Sequence, residues 1–404
     1  MSKIEQLIQQ LCPEGVEYKR LHELTTWDKR FNGVDKSMQP KTISYPYLLA
    51  KDLISLEVAN GDVRLLETGI SKDLKWTTEE KAGDYVCEGE IVAIPWGGTP
   101  NVKYYKGKFV TADNRIATAN DKSILSNKYL YYWMANNIDT IAKLYRGAGI
   151  QHPSMAGVLN LEIPLPPLPV QQEIVRILDA FTQLEAELEA ELEARKKQYA
   201  YYRDTLLSFE HDDPKVEWKR LVDVANVQYG YPFDSSLFTE DDSYIPIIRI
   251  RDIITAKAST YYKGAYDESY IVKKGDILVG MDGNFNLEKW NDRDSLLNQR
   301  VCKIYSNSSN KVLDGFLYHL LKPEFKHIEG EIQGGTVIHL SAARIKKILI
   351  PLPPLPVQQE IVRKLDKFSA ITSDLQSGLP AEMEARRKQY EYYRDQLLSF
   401  KVKN

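Results

Sequence analysis

Polar loops that also contain aromatic residues are the parts of this sequence whose side chains could do chemistry. The clearest runs from Trp96 to Lys108, where lysine and asparagine are interleaved with tryptophan, tyrosine and glycine. Lysine and arginine bind phosphate groups, and amide and guanidinium groups hydrogen-bond to the edges of nucleotide bases. The loops therefore predict contact with DNA.

The residues predicted to bind DNA fall in two groups, one in each half of the chain. The first group is Trp96, Asn101, Lys103, Lys106, Lys108, Asn114, Arg115, Arg146, Gln151 and His152. The second group is Asn284, Asn286, Lys289, Gln299, Arg300, Thr336 and His339. For any single cation on a loop the alternative is a solvated side chain with no ligand. The prediction therefore concerns the loops as groups.

Motifs for catalysis are mostly missing from the sequence. It contains no Gly-x-x-x-x-Gly-Lys-Ser/Thr phosphate loop and no Asn-Pro-Pro-Tyr-type tetrapeptide of the kind that adenine methyltransferases use. Asp213, Glu217 and Lys219 have the spacing of a nuclease motif. Glu17 and Lys19 stand in the same context in the first half, which favours a strand repeated for structural reasons.

Neither the histidines nor the cysteines are spaced to hold a metal ion. His152 and His339 occupy matching positions beside glycine-rich turns, where hydrogen bonding within a loop is favoured over catalysis. Cys12, Cys87 and Cys302 are far apart, so neither a zinc site nor a disulfide framework is expected. The N-terminus is too polar for a signal peptide, and no apolar run could span a bilayer. These features predict a soluble, cytoplasmic protein.

The elements that must position the polar loops are duplicated. The twelve residues Pro164–Val175, with the sequence Pro-Leu-Pro-Pro-Leu-Pro-Val-Gln-Gln-Glu-Ile-Val, recur in full at Pro351–Val362. Each copy is followed by a helical run, and the two runs end in nearly identical sequences at Phe209 and Phe400. A repeat of this length predicts two equivalent halves.

The regions outside the helical runs share a frame of short strands and turns. Gly89–Ile94 matches Gly275–Gly280, which indicates a strand in each half. Asp113–Ile116 matches Asn298–Val301. The loops between these anchors diverge, so the two regions are predicted to do the same job on different targets.

The helical runs have the pattern of a coiled coil. In the first, apolar residues between Ile174 and Leu206 fall at spacings of three and four or their sums. A single helix from Gln171 to Phe209 would be about 58 Å long at roughly 1.5 Å per residue, which is more than a domain core needs. The second run has four extra residues near Ser377–Pro380, and both one kinked helix and two helices remain open there.

These features predict an α+β fold with an internal pseudo-twofold repeat. Residues 1–163 form the first mixed α/β domain with a short N-terminal helix, 164–210 the first helical spacer, 211–350 the second domain and 351–404 the second spacer. Because domains and helices alternate, the simplest closed arrangement pairs the two long helices as an antiparallel coiled coil, with one domain at each end. The chain termini would then lie close together.

Charge is segregated along the chain, although the formal net charge is only −3. Residues 96–151 contain eight Lys and Arg against three Asp and Glu, whereas residues 171–194 contain one Arg against seven acids. The sequence therefore combines a basic globular part with an acidic helical part.

With these motifs the sequence resembles the specificity subunit of type I restriction–modification systems. The resemblance rests on the duplicated Pro-Leu-Pro-Pro-Leu motif, the Gly-Asp-Ile-Leu-like strands, the Gly-Thr-x-x-His-Leu-Ser stretch before the second copy, and the alternation of domains and helices. It implies two target-recognition domains, each reading one half of a split DNA sequence. It also implies spacer helices that dock methyltransferase subunits, and no cofactor on this chain. Methyltransferase (M) and restriction/translocase (R) partner subunits would use S-adenosylmethionine, ATP and Mg.

A four-residue period distinguishes the middle of the first spacer. Leu184–Ala194 repeats Leu-Glu-Ala-Glu, and the resemblance implies that such repeats adjust the gap between half-sites. Four helical residues add about 6 Å, comparable to one or two base-pair steps of roughly 3.4 Å. The alternative is a stable helix with a solvated acidic face, which does not explain the strict period. Two other functions remain as alternatives, a coiled-coil scaffold and a self-contained nuclease or methyltransferase.

Overall fold

The structure is a computed structural model that describes residues 2–70, 74–331, 339–373 and 378–403. The chain divides into two compact units, one formed by Met1–Glu189 with Met383–Asn404 and the other by Ala190–Glu382. Each unit contains one globular domain and helical segments from both copies of the repeat.

The first unit contains a mixed α/β domain. Its helices are α1 (Lys3–Leu11), α2 (Leu21–Leu24), α3 (Ala50–Ser55), α4 (Glu79–Ala82), α5 (Asn127–Asn136), α6 (Ile138–Ala142), α7 (Met155–Leu159) and the first part of α8 (Leu168–Leu206). Its strands are β1 (Glu17–Arg20), β2 (Thr25–Trp27), β3 (Val63–Leu66), β4 (Trp76–Thr77), β5 (Cys87–Pro95), β6 (Lys103–Thr111), β7 (Asn114–Ala119), β8 (Tyr145–Arg146), β9 (His152–Pro153) and β10 (Glu162–Leu165).

A six-stranded sheet lies at the centre of this domain, in the order β2-β7-β5-β6-β3-β4. Neighbouring strands are antiparallel except β3 and β6, which run parallel. The last five residues of β5 are all buried because both faces of the sheet are covered. Val92 and Ile94 join the core that contains Tyr129 of α5, whereas Ile91 packs with Phe109 in a separate cluster.

The second unit repeats this plan with shorter strands. Its strands are β11 (Glu217–Arg220), β12 (Ala225–Tyr229), β13 (Phe238–Thr239), β14 (Ile245–Ile248), β15 (Tyr261–Tyr262), β16 (Ile271–Val272), β17 (Ile277–Gly280), β18 (Leu287–Lys289), β19 (Ser295–Leu297), β20 (Val301–Ser306) and β21 (Leu349–Leu352). Its helices are α9 (Leu221–Val224), α10 (Asp252–Thr255), α11 (Asp314–Glu331), α12 (Ala342–Ile345) and α13 (Leu355–Ser373). The last helix of the chain, α14 (Leu379–Leu397), lies mainly in the first unit.

The strands of the second domain form two larger sheets. One has the order β12-β20-β17-β18 and is antiparallel throughout. The other has the order β13-β15-β14-β19-β16, in which β14 and β19 run parallel. Phe316 and Leu317 of α11 pack with Ile277 and Val279 in the main core. In the part of each domain that the structure describes, a parallel pair of strands therefore lies within a mainly antiparallel framework.

The repeated proline motif begins with the same strand pairing in both domains. Strand β1 pairs antiparallel with β10, with Tyr18 opposite Pro164, and β11 pairs with β21, with Trp218 opposite Pro351. These short two-stranded sheets lead directly into helices α8 and α13. The interpretation of Glu17 and Glu217 as parts of a repeated structural strand is therefore confirmed.

A buried glutamine explains why the polar part of the motif is also repeated. Gln171 accepts a hydrogen bond from the backbone N–H of Ser126 at 2.9 Å and donates to the carbonyl oxygens of Ile124 and Pro166 at 2.7 and 2.8 Å. Gln358 makes the corresponding three bonds in the second unit, and both side chains are fully buried. Each glutamine satisfies buried backbone groups that a shorter side chain would leave unpaired.

The first spacer is one helix, and the described residues of the second form two. Helix α8 has 39 residues; it begins three residues before the predicted start at Gln171 and ends three before the predicted end at Phe209. The second copy forms α13 and α14, and Pro380 lies in the first turn of α14, where a missing N–H costs nothing. The predicted break near Ser377 falls in residues 374–377, outside the described residues.

The two helical copies pack against each other within each unit. In the first unit the ring of Phe181 in α8 lies 5.9 Å from that of Tyr390 and 5.8 Å from that of Tyr393 in α14. In the second unit Tyr202 of α8 stacks on Phe368 of α13 at 5.1 Å. The predicted pairing of the two copies is therefore confirmed.

The two ends of the chain meet in the first unit. Val16 and Val402 form a parallel bridge, and the backbone N–H of Lys403 donates to the carbonyl of Val16 at 2.9 Å. The hydroxyl of Tyr18 donates to the carbonyl of Phe400 at 2.8 Å. The predicted proximity of the termini is therefore confirmed.

Candidate nucleic-acid interface

In each globular domain, the residues after two parallel strands form one edge of the sheet. Because β3 and β6 are adjacent and parallel, their carboxyl ends lie side by side, and the same holds for β14 and β19. We call residues 67–69 and 112–115 the first strand-end edge, and residues 249–251 and 298–300 the second strand-end edge. Polar side chains in these positions are well placed to meet a ligand.

Arg115 is the buried centre of a cluster on the first strand-end edge. Its guanidinium carbon lies 4.1 Å from the centre of the Trp96 ring, and its Nη1 lies 2.9 Å from Oδ1 of Asp113. The same nitrogen is 3.7 Å from Oδ2 of Asp28. His152 donates from Nδ1 to the carbonyl of Trp96 at 2.7 Å. With 5% of its side chain exposed, Arg115 holds this cluster together from inside.

Asp28 is the least solvated carboxyl of the cluster. Its Oδ1 accepts a hydrogen bond from the backbone N–H of Ile116 at 3.0 Å. Burial raises the pKa of Asp28 to about 6, although the Ile116 hydrogen bond and the charge of Arg115 both favour the ionised form. The cluster therefore contains a carboxyl that titrates close to neutral pH.

Three of the predicted DNA-binding residues support the turn after β3. Asn114 donates to the carbonyl of Leu66 at 3.1 Å, and both Asn101 and Lys103 donate to the carbonyl of Thr68 at 2.9 Å. Burial lowers the pKa of Lys103 to about 8. In the described conformation these side chains hold the turn because its carbonyls need buried donors. Their contact with DNA stays a prediction.

Other residues of the first group are exposed. Lys106, Arg146, Gln151 and His152 all face solvent. The hairpin of β8 and β9 places Arg146 opposite His152, and the backbone N–H of Gly98 donates to the carbonyl of Gln151 at 3.1 Å. The hairpin and the glycine turn thus present a cation, an amide and an imidazole on one surface.

The glycine turn itself needs residues without side chains. A Cβ on Gly97 would come within 2.9 Å of Ile150 and 3.2 Å of the His152 ring, and Gly98 has a φ of +98°. The turn lines a cleft of about 270 Å³ together with Thr68, Gly69, Ile70 and Thr99. Backbone donors and small side chains dominate this part of the first strand-end edge.

The same three positions form a cluster in the second unit. Asp282 stands where Trp96 stands in the first, and Arg300 and His339 correspond to Arg115 and His152. Arg300 Nε lies 3.5 Å from Asp282 Oδ2, and His339 Nδ1 lies 2.5 Å from Asp282 Oδ1. Unlike its counterpart, the Arg300 side chain is 66% exposed.

Two further arginines join this cluster on the second strand-end edge. Arg249 and Arg251 follow β14, and with Asn298, Gln299 and Arg300 they line a cleft of about 300 Å³. Sequence reasoning missed both arginines. The one signal for them was the apolar run 245–248 directly before them, but nothing in the sequence shows that this strand pairs with β19.

The family described as type I restriction modification DNA specificity domain matches residues 13–194 and 215–385. The chain belongs to this family. A second line of support comes from the Escherichia coli type I restriction enzyme EcoR124I/EcoR124II specificity subunit, which is 31% identical over 308 residues, 71% of this chain and 74% of that protein. The Escherichia coli EcoBI specificity subunit is 42% identical over 155 residues, 38% of this chain and 32% of that protein.

The fold of this specificity subunit is also found among solved structures. The crystal structure of the type I restriction–modification S subunit from M. genitalium matches with a TM-score of 0.61 at 16% sequence identity, covering 95% of each chain. The two mixed α/β domains and the long helices therefore form the architecture of the family. The function of the chain is non-catalytic recognition of a DNA target in a type I restriction–modification complex.

The remaining predicted residues of the specificity subunit have diverse surroundings. Asn284 is exposed, and Asn286 is half-buried. Lys289 instead forms an ion pair with Asp366 of α13 at 3.2 Å, and its Nζ lies 4.7 Å from the centre of the Tyr318 ring. Lys108 and Thr336 complete the set: Lys108 on β6 pairs with Glu79, and Thr336 lies outside the described residues.

Within residues 2–70, 74–331, 339–373 and 378–403, no group of three or more His, Cys, Asp or Glu side chains is arranged to hold a metal ion. Over the same ranges, no helix is both long and apolar enough to cross a membrane. Cys12, Cys87 and Cys302 are buried free thiols.

Proposed function

We propose that the specificity subunit recognises a split site in double-stranded DNA, with one globular domain on each half. The observation that carries this proposal is that the two strand-end edges share a frame and differ in their side chains. Trp96 in the first unit corresponds to Asp282 in the second, and by strand register Thr68 corresponds to Arg249. Equal scaffolds with different polar groups suit two different base sequences.

The exposed polar residues provide the chemistry that duplex DNA requires. In the first unit Lys106 and Arg146 offer cations for phosphates, and Gln151 offers an amide for a base edge. In the second unit Gln299 and Arg300 offer both kinds of group. No bound metal or cofactor is needed for such recognition, so this chain would bind neither.

The helices are proposed to set the gap between the two half-sites. Helix α8 is continuous through Leu184–Ala194, so the four-residue repeat is helical from end to end. Removing one repeat would shorten the helix by about 6 Å and change its rotation by about 40°. Leu188 is buried. After the removal of one repeat, Leu192 would occupy the position of Leu188.

Partner subunits are proposed to perform the chemistry. Methyltransferase (M) subunits would dock on the helices, where Tyr201 is 67% exposed and Tyr392 is 62% exposed at matching positions of the repeat. The M subunits and the restriction/translocase (R) subunits would use S-adenosylmethionine, ATP and Mg in the cytoplasm. Substitution of both tyrosines by alanine should reduce co-purification with the M subunits, whereas Tyr266→Ala in a globular domain should not.

Mapping the methylated bases tests the proposal as a whole. DNA modified by the assembled complex should contain methylated bases only in a sequence of two specified parts separated by unspecified base pairs. DNA exposed to the methyltransferase subunits without this chain is the control and should show no such preference. A single uninterrupted recognition sequence would contradict the assignment of one half-site to each domain.

A further inference from the structure

We propose that the cleft on the second strand-end edge is the DNA-reading site of the second domain, and that it recognises its half-site through arginine and glutamine contacts to purine edges and phosphates. The residues are Arg249, Arg251, Gln299 and Arg300. This inference rests on the proposed function, since it names the chemistry by which one of the two domains reads its half-site.

Strand pairing brings these residues together from distant parts of the sequence. Strands β14 and β19 are parallel neighbours, with Ile247 opposite Leu296 and Ile248 opposite Leu297. The residues that follow them, 249–251 and 298–300, consequently leave the sheet at the same edge. A crevice at the carboxyl ends of parallel strands is where a ligand meets the largest number of converging loop residues.

A buried carboxylate fixes the arginine loop through its backbone and also lies 3.8 Å from Nε of Arg251, whose side chain is 60% exposed. Asp252 is 3% exposed, and its Oδ2 accepts from the backbone N–H of Arg249 at 2.9 Å. Its Oδ1 accepts from the Ser259 hydroxyl at 3.1 Å. The contacts of the Arg251 guanidinium with Ser259 and Thr260 are long, at 3.4 Å each. The loop is therefore held through its backbone, and the Arg251 side chain remains exposed for a ligand.

The corresponding edge of the first domain has different electrostatics. By strand register, Thr68, Gly69 and Ile70 stand where Arg249, Ile250 and Arg251 stand in the second domain. Glu67 forms an ion pair with Lys75 at 3.1 Å, and the only arginine of the edge, Arg115, is buried. A phosphate would therefore meet no exposed guanidinium group on the first strand-end edge, whereas three arginines line the second, one of which, Arg300, also contacts Asp282.

The side chains of the second strand-end edge also limit which bases they can read. Arginine forms paired hydrogen bonds with O6 and N7 of guanine, and glutamine forms them with N6 and N7 of adenine. Gln299 and Arg300 are adjacent and both exposed. We therefore expect purines on the strand that faces this cleft, with Gln299 and Arg300 as the specificity-determining residues and Arg249 and Arg251 on the flanking phosphates.

Selection of bound sequences from random DNA tests this assignment with the assembled complex. Gln299→Ala and Arg300→Lys should each remove base preference within one half-site and leave the other half-site unchanged. Arg300→Lys keeps the charge but loses the paired hydrogen bonds, so its effect separates base reading from attraction to phosphate. Gln151→Ala in the first domain is the reciprocal variant and should alter the opposite half-site.

Salt titration of DNA affinity tests the phosphate contacts. The double variant Arg249→Ala, Arg251→Ala should bind all sequences roughly ten-fold or more weakly. The slope of log affinity against log salt should also fall by about one for each phosphate that the variant no longer neutralises. Lys311→Ala removes an exposed cation of the same domain outside the cleft and should change neither quantity.

The outcomes separate this inference from the proposed function. The inference would be overturned if all cleft variants kept the affinity, the salt slope and the sequence preference of the wild type. The proposed function would still stand in that case, provided that the wild-type complex selects a split site. A uniform loss of affinity in Gln299→Ala and Arg300→Lys, with no change in preference, would refute base reading. A wild-type complex that selects no split site would contradict the proposed function itself, and the inference would fail with it.

Discussion

Arg115 lies with its guanidinium carbon 4.1 Å above the ring of Trp96, and the repeat places the Arg300–Asp282 pair in the same position of the second unit. Arg115 is buried, whereas Arg300 is exposed. The same position of the repeat therefore holds an arginine that supports a loop in the first domain, Arg115, and an arginine that faces solvent in the second, Arg300.

Removing the buried arginine should destabilise the first unit. Arg115→Ala would leave Asp28 and Asp113 with only the more exposed Lys29, whose Nζ lies 3.9 and 4.0 Å from their carboxylate oxygens, and loss of one partner of a buried ion pair costs about 3–5 kcal/mol. The free energy of unfolding in urea, followed by tryptophan fluorescence, measures this. Arg300→Ala is the matched control and should cost about 1 kcal/mol or less because its side chain is exposed. Equal losses for the two variants would show that Arg115 does not support the fold.

The contribution of Asp28 to the free energy of unfolding should fall as the pH rises towards neutrality. Burial raises the pKa of Asp28 from 3.8 to about 6, so the folded chain binds this proton more tightly than the unfolded chain. The stabilisation is fully present below about pH 4 and is lost as the pH rises through 6, with an upper limit of about 3 kcal/mol.

Asp28→Asn isolates this contribution because the amide oxygen can still accept from the Ile116 N–H. Unfolding free energies of both proteins, measured from pH 4 to pH 7, should show the variant gaining stability relative to the wild type as pH rises. A difference that is constant with pH would mean that Asp28 titrates normally.

The buried glutamine of each repeat should be essential for its domain. Gln171→Ala and Gln358→Ala would each leave one backbone N–H and two carbonyl oxygens without their partner, at a cost of about 2–4 kcal/mol. Thermal unfolding measures the loss. The adjacent Gln172 and Gln359 are exposed, so alanine at those positions should leave the melting temperature almost unchanged. A similar loss at neighbouring positions would contradict the role of the hydrogen bonds.

The repeated frame could be predicted from sequence because it depends on local patterns. The twelve-residue duplication, the heptad-like spacing after it and the proline boundaries each indicated an element that the structure contains. The buried hydrogen bonds of Gln171 explain why a polar residue was retained there, but the sequence alone could not distinguish it from the exposed Gln172.

The site residues were harder to predict because their surroundings depend on non-local contacts. Arg115 was selected as a cation on a loop, but Trp96, Asp28 and Asp113 enclose it. Arg249, in contrast, was not selected from the sequence, because it becomes a neighbour of Arg300 only through the parallel pairing of β14 with β19. No local pattern reports such a pairing between strands about fifty residues apart in sequence.

The length of α8 offers the most direct test of the central claim, that two domains read separate half-sites at a distance set by the helices. Deletion of Glu185–Leu188 removes one four-residue repeat, and a variant with Glu185→Ala and Glu187→Ala keeps the length as a control. Methylated bases should be mapped in DNA modified by complexes with each protein. We expect the deletion to shorten the gap by one or two base pairs with both half-sites unchanged, and the control to keep the wild-type gap. An unchanged gap in the deletion variant would contradict the account.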